Sequence, residues 1–185
     1  MARVPEIRKR EDVPPVHREI FDEIAASRGG QPSGPFRVLL YSPEPAVRLA
    51  RLGTYFRFEH ALPEKVASLA AITVGRELDS VYEYTVQEGG ARRAGVREEA
   101  INAIKHRRAP EGLMGDELLI WQFTTELLRT HRVSQPTWQA ALDRLGMKPL
   151  TDLVGAISYF CYISVAMNAF EVDTRPELEP TLPLP

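Results

Sequence analysis

Residues 75–95, with the sequence GRELDSVYEYTVQEGGARRAG, place several side chains that can bind or protonate a small molecule within little more than three helical turns. Arg76, Ser80, Glu83 and Gln87 follow one another at spacings of four, three and four. Because each residue of a helix turns by about 100°, these side chains are predicted to share one narrow helix face. An arginine can hold a carboxylate, and a carboxylic acid can protonate a developing carbanion. The stretch therefore predicts either a pocket for a small anionic compound or an ordinary solvated helix face.

Two features of the neighbouring sequence favour the pocket. The preceding residues 67–74, ASLAAITV, are apolar nearly all round, which indicates a helix that is buried on most sides. Tyr82 and Tyr84 flank Glu83, and aromatic neighbours can shift the pKa of a carboxyl group towards the range useful for proton transfer. We therefore expect the polar face to point into a pocket or a subunit seam.

The elements that must position this stretch are helices. Apolar residues recur at helical spacings through the middle of the chain, whereas proline and glycine concentrate at both ends. We predict an all-α bundle with helices near 35–42, 44–59, 63–88, 96–105, 115–130, 134–145 and 149–170, and a loop at Gly89-Gly90. Residues 1–34 are predicted to form an arm with a short helix, 35–172 the helical domain, and 173–185 an extended tail. The tail holds four prolines in its last ten residues, and we expect it to lie over a neighbouring subunit.

The composition excludes several classes of function. The formal charge of −2 gives no broad positive field, so neither nucleic acid nor a membrane surface is an expected partner. No run reaches the roughly 20 apolar residues that span a bilayer, and we expect a cytoplasmic protein. Cys161 is the one cysteine, which excludes an internal disulfide and a two-thiol redox centre within one chain. The four histidines form no metal-binding spacing and no cofactor fingerprint is present, so we predict neither a metal nor a cofactor.

From about Leu62 to Ala103 the chain resembles the carboxymuconolactone decarboxylase and alkyl hydroperoxidase D (AhpD-like) superfamily. That pattern is a helix with Cys-x-x-Cys-x-x-x-His, followed by A-x-x-x-G-[VLS]-x-x-E-x-I, and residues 91–101, ARRAGVREEAI, match its second part. Residues 117–160 resemble the second helical half of the same family. The resemblance implies an AhpD-like helical bundle and a homo-oligomer, as a trimer or a dimer of trimers.

The chain departs from the redox members at every reactive position. The two cysteines and the histidine fall at Ser80, Glu83 and Gln87, and the upstream glutamate of the hydroperoxidases falls at Ser68. Thiol peroxidase activity is therefore disfavoured, since that route needs an attacking and a resolving thiol. The chain is more similar to a cysteine-free branch with Arg-Glu-Leu…Tyr-Glu-Trp-x-x-His. Here residues 76–78 and 82–87 correspond, with tyrosine in place of tryptophan and glutamine in place of histidine.

The resemblance implies a carbon–carbon lyase acting on a small carboxylated lactone or ring acid. For this chemistry we expect catalytic roles for Glu83, Tyr82 and Gln87, and substrate-binding roles for Arg76, Ser80 and His60. Arg76 would hold the carboxylate, Glu83 would supply the proton, and His60 can replace the base that is missing at Gln87. The alternative is a non-catalytic oligomeric scaffold or small-molecule binder with the same fold. Burial of Glu83 beside Arg76 in a cavity would favour the ligand site.

Overall fold

A computed structural model describes residues 2–174 and 178–183, and the regular elements in these ranges are helical. Two short 3-10 turns, at Arg10–Asp12 and Pro15–His17, precede the helices. The helices are α1 (Arg18–Ala26), α2 (Phe36–Leu39), α3 (Pro43–Phe58), α4 (Glu64–Glu77), α5 (Val81–Arg93), α6 (Glu98–Lys105), α7 (Asp116–Thr130), α8 (Gln135–Leu145) and α9 (Met147–Phe170). The prediction of an all-α bundle is confirmed.

Helix α4 lies at the centre of the bundle and packs against α5, α7 and α9. Every residue from Leu69 to Arg76 is buried, as the apolar run in this helix predicted. Helix α9 also packs against α3, α5 and α8, and its buried side includes Leu153, Ile157 and Ile163. Within the described ranges α9 is the one helix that is long and apolar enough to cross a bilayer, a property that core helices of soluble proteins share.

The prediction of one continuous helix over 63–88 was wrong, because the chain breaks between α4 and α5. Asp79 adopts a left-handed backbone conformation with a φ of 47°, which aspartate tolerates better than most residues. Its carboxylate accepts hydrogen bonds from Arg76 and Arg107, at 2.9 and 2.8 Å, and these bonds hold the turn. No glycine or proline marks this break in the sequence.

Helix α5 continues through Gly89-Gly90, so the loop predicted there is also wrong. The helix ends instead at Arg93, and the chain turns away at Gly95, whose φ of 81° is the left-handed conformation that glycine adopts without strain. The Gly95 N–H donates to the Arg92 carbonyl at 3.1 Å, and the Val96 N–H donates to the Ala91 carbonyl at 3.0 Å. This pair of bonds is a Schellman motif. The glycine of the A-x-x-x-G pattern is therefore the residue whose left-handed conformation ends α5.

The described parts of both chain ends pack onto the bundle. In the arm, Ile7 and Val13 are buried. In the tail, Leu182 is buried, and the Thr181 N–H donates to the Thr85 hydroxyl on α5 at 3.2 Å. Residues 178–183 thus contact their own subunit. Part of the predicted tail, 175–177 and 184–185, lies outside the described residues, and its contact with a neighbouring subunit and the domain limits stay predictions.

Candidate functional site

A cleft of about 420 Å³ opens between one side of α5, the N-terminal half of α4, the end of α3, α9 and the segment that joins α1 to α2. Four of the six residues predicted for the site line it: His60, Tyr82, Glu83 and Gln87. Aromatic rings form much of the remaining wall, from Phe36, Phe56, Phe58, Tyr159 and Phe160. An aromatic cleft with a few polar groups is the usual form of a small-molecule site.

Glu83 is the buried carboxylate of the cleft wall, with 4% of its surface exposed. Its Oε1 atom accepts a hydrogen bond of 2.8 Å from the amide nitrogen of Gln87, one turn later on α5. Glu83 also lies in the first turn of the helix, where the helix dipole favours a negative charge. The α5 backbone and Gln87 together fix the direction of a carboxyl group that lines the cleft.

Two tyrosine hydroxyl groups of the cleft each lie against a glycine. The Tyr82 hydroxyl packs on Gly34, which has a φ of 52°, and the Tyr159 hydroxyl packs on Gly53 of α3. A Cβ atom at either glycine would overlap the hydroxyl, so these glycines permit the close approach. Burial, with a further contribution from the charge of Glu83, raises the pKa of Tyr159 to about 12. Tyr159 therefore carries its proton at neutral pH.

Arg28, Arg57 and Arg93 supply positive charge to the cleft. The guanidinium of Arg28 stacks on Phe36, with 3.8 Å from its central carbon to the ring centroid, and Tyr159 lines the same cleft. Burial and the nearby charge of Arg57 lower the pKa of Arg28. Sequence reasoning missed Arg28, Arg57 and Tyr159. They come from three separate segments of the chain, and no motif or spacing links them.

Arg76 and Ser80 do not line this cleft, because the break at Asp79 separates them from the helix face of Glu83. The guanidinium of Arg76 donates to Asp79 at 2.9 Å and to the Pro183 carbonyl of the tail at 3.1 Å. Ser80 is fully buried, and its hydroxyl has no hydrogen-bond partner among the described residues. The prediction that Arg76, Ser80, Glu83 and Gln87 share one helix face is therefore wrong. The substrate-binding roles of Arg76 and Ser80 stay predictions without support from this arrangement.

His60 and Cys161 occupy less central positions. His60 is half-buried at the turn between α3 and α4, and its Nδ1 atom accepts the Leu62 N–H at 3.1 Å. Cys161 lies on α9 outside the cleft lining, and burial raises the pKa of its thiol. The ranges 2–174 and 178–183 contain no group of three or more metal-ligating side chains.

Comparison with models of protein families and with characterised protein sequences gives no match. Among solved structures, the chain is similar to the debrominase Bmp8. A cysteine-to-alanine variant of that protein in complex with 2,3,4-tribromopyrrole has a TM-score of 0.71 at 13% sequence identity, over 95% of this chain and 94% of the other. The apo form has a TM-score of 0.70 at 13% identity, over 94% and 93%. At this identity the likeness shows the fold alone: the chain has an all-α fold similar to that of this debrominase.

Proposed function

We propose that this chain is a carboxymuconolactone decarboxylase-like carbon–carbon lyase that removes CO2 from a small ring acid or carboxylated lactone bound in the cleft. The observation that carries the proposal is the position of Glu83, a buried carboxyl group held by Gln87 in the wall of an aromatic cleft. A cleft of about 420 Å³ accommodates a single small ring compound.

The reaction assigned to the cleft transfers one proton and needs no redox partner. The bond between the ring and the substrate carboxylate breaks, and its electron pair moves into the conjugated carbonyl system as a dienolate. CO2 leaves, and the protonated Glu83 carboxyl donates its proton to the ring carbon. Water then returns a proton to Glu83. The rings of Phe36, Phe56 and Phe160 make the site less polar than water, which favours the loss of the carboxylate charge.

A non-catalytic small-molecule binder is the second candidate, and Gln87 favours it. The amide of Gln87 bonds to Glu83 where the related branch has a histidine, so position 87 lacks the imidazole that would titrate near neutral pH. Thiol peroxidase activity remains disfavoured, because Cys161 is a lone thiol outside the cleft lining. A coupled peroxide assay with a dithiol donor should give turnover no higher than the blank.

Self-association and a cytoplasmic location belong to the same proposal. Tyr162 and Val165 on α9 are 47% and 58% exposed, which leaves apolar surface on a central helix for a second copy to cover. Light scattering at micromolar concentration should give a trimer or a dimer of trimers. A monodisperse particle of 20.8 kDa would contradict the oligomer.

The lyase is tested by measuring CO2 release from a panel of carboxylated lactones and ring acids. The lyase proposal expects release above the blank for at least one compound, with one solvent deuterium at the decarboxylated carbon when the reaction is run in D2O. Binding of panel members by calorimetry without CO2 release would contradict the lyase and support the binder. Absence of both binding and release would contradict both candidates.

A further inference from the structure

We propose that Arg28 and Arg57, together with the Tyr159 hydroxyl, form a subsite of the cleft that holds the carboxylate of a flat aromatic acid. This inference rests on the proposed function for the location of the ligand, but it concerns binding alone. It moves the carboxylate-binding role from Arg76 in the last turn of α4 to Arg28 in the turn after α1 and Arg57 in the last turn of α3.

Arg28 is fixed in place before any ligand arrives. It follows α1 in a turn closed by the bond from its own N–H to the Ala25 carbonyl, at 3.0 Å. Its guanidinium lies on the Phe36 ring and also donates to the hydroxyl of Ser27. A guanidinium that is already stacked and bonded loses little freedom when it binds a carboxylate.

Arg57 is placed beside Arg28 by the last turn of α3. Its Nε–H donates to the Gly53 carbonyl at 3.1 Å, which directs the guanidinium along the helix end. The same Gly53 allows the close approach of the Tyr159 hydroxyl, and Tyr159 lines the cleft together with both arginines. Two neighbouring cations repel each other, and an anion between them relieves the repulsion.

Arg28 and Arg57 differ from most surface arginines of the chain in their charged neighbours. Surface arginines elsewhere form two-bond pairs with carboxylates, such as Arg51 with Glu23 and Arg144 with Asp116. Within 2–174 and 178–183, no ion pair joins Arg28 or Arg57 to a carboxylate. Three arginines and two glutamates line the cleft, so basic side chains outnumber acidic ones there, in a chain with a formal charge of −2.

The walls of the cleft decide which anion fits. Phe36, Phe56 and Phe160 line the same space as the two arginines, so the body of the ligand is apolar. Planar guanidinium groups match the planar oxygens of a carboxylate, and planar rings stack on aromatic side chains. A ligand with its carboxylate at Arg28 and its ring among the phenylalanines fits this combination better than a free inorganic anion.

The subsite is tested with 4-fluorobenzoate and its neutral analogue 4-fluorobenzamide, observed by ligand fluorine NMR. The wild-type protein should bind the benzoate more tightly than the benzamide. Arg28→Gln should weaken the benzoate by at least about tenfold and Arg57→Gln by about threefold, without a change for the benzamide. Arg132→Gln, an exposed arginine outside the cleft lining, is the matched control and should leave both affinities unchanged. Circular dichroism and thermal unfolding establish that each variant is folded.

The subsite would be overturned by equal affinity of the wild type for benzoate and benzamide, or by no benzoate binding at millimolar concentration. Unchanged benzoate affinity in folded Arg28→Gln would also overturn it. Inorganic phosphate that competes as strongly as benzoate would also overturn the assignment to an aromatic carboxylate. Benzoate discrimination in a protein that decarboxylates nothing in the panel would leave the subsite in place while the lyase fails. Decarboxylation that survives Arg28→Gln unchanged would support the lyase and overturn the subsite.

Discussion

Glu83 and Glu88 lie five residues apart on α5, and both carboxyl groups are buried, yet the two sites are built in opposite ways. Glu88 is 1% exposed and pairs with two cations, Arg92 at 3.2 Å and Lys105 at 3.1 Å. Glu83 is 4% exposed, lines the cleft, and accepts a hydrogen bond from the neutral amide of Gln87. A carboxylate neutralised by two cations stabilises the fold, whereas one in the wall of a cleft lies where it can meet a ligand.

The first test of this contrast is Glu88→Gln. The change removes one charge from a buried cluster and leaves Arg92 and Lys105 beside a neutral amide. We expect the free energy of unfolding to fall by about 3 kcal/mol, as removal of one partner from a buried pair does. Urea denaturation measures the change. A loss below about 0.5 kcal/mol, typical of a surface pair, would remove the structural role of Glu88.

The same logic predicts a pH effect at Glu117, another buried carboxylate with two cations, Arg97 and Lys65. Burial alone would raise the pKa of Glu117, but the hydrogen bonds from Arg97 and Lys65 outweigh it and hold the pKa below the ordinary 4.5. A lowered pKa means that the charged form stabilises the fold above pH 4.5, and that this contribution disappears as the pH falls through the folded value.

Glu117→Gln should therefore unfold more easily than the wild type at pH 7, by about 2 kcal/mol, a value reduced for the partial exposure of both cations. The difference should shrink as the pH falls below 4.5. Urea titrations of both proteins across this range measure it. A difference that stays constant with pH would show that the loss comes from packing and not from charge.

Two glycines test how α5 is held against α4. A Cβ atom at Gly75 would lie 3.0 Å from the backbone nitrogen and Cα of Tyr84, whereas one at Gly89 would meet only the end of the Arg93 side chain, at 3.5 Å. Gly75→Ala should lower the free energy of unfolding by about 1 kcal/mol because α5 must shift. Gly89→Ala should raise it by about 0.5 to 1 kcal/mol through helix propensity. Changes of the same sign would contradict the close packing at Gly75.

We expect Arg76→Gln to leave the affinity for the ligand unchanged, which is the smallest effect among these variants. Its guanidinium bonds to Asp79 and to the Pro183 carbonyl, so the change should loosen the tail and leave the cleft unaltered. The affinity for 4-fluorobenzoate should equal that of the wild type, in contrast to the Arg28 variant. A tenfold loss in Arg76→Gln would restore the role that the sequence pattern suggested for it.

The sequence predicted those features that depend on local pattern. The apolar run 67–74 identified the buried centre of α4, and three of the site residues predicted within 80–87 line the cleft. The break at Asp79 was not predictable in the same way, because a non-glycine residue in a left-handed conformation is held by tertiary hydrogen bonds from Arg76 and Arg107. Arg28 was missed for a related reason, since only folding brings the end of α1 to the cleft.

The most direct test of the account compares kcat for Glu83→Gln and Glu88→Gln on the panel compound that the wild type decarboxylates, at a temperature where both variants are folded. Glutamine keeps the shape of each side chain and removes the titrating proton. The account predicts a loss of at least about 100-fold in kcat for Glu83→Gln, with binding retained. Glu88→Gln should keep kcat near that of the wild type despite its lower stability. A Glu83→Gln variant that turns over within about twofold of the wild type would contradict proton transfer by Glu83.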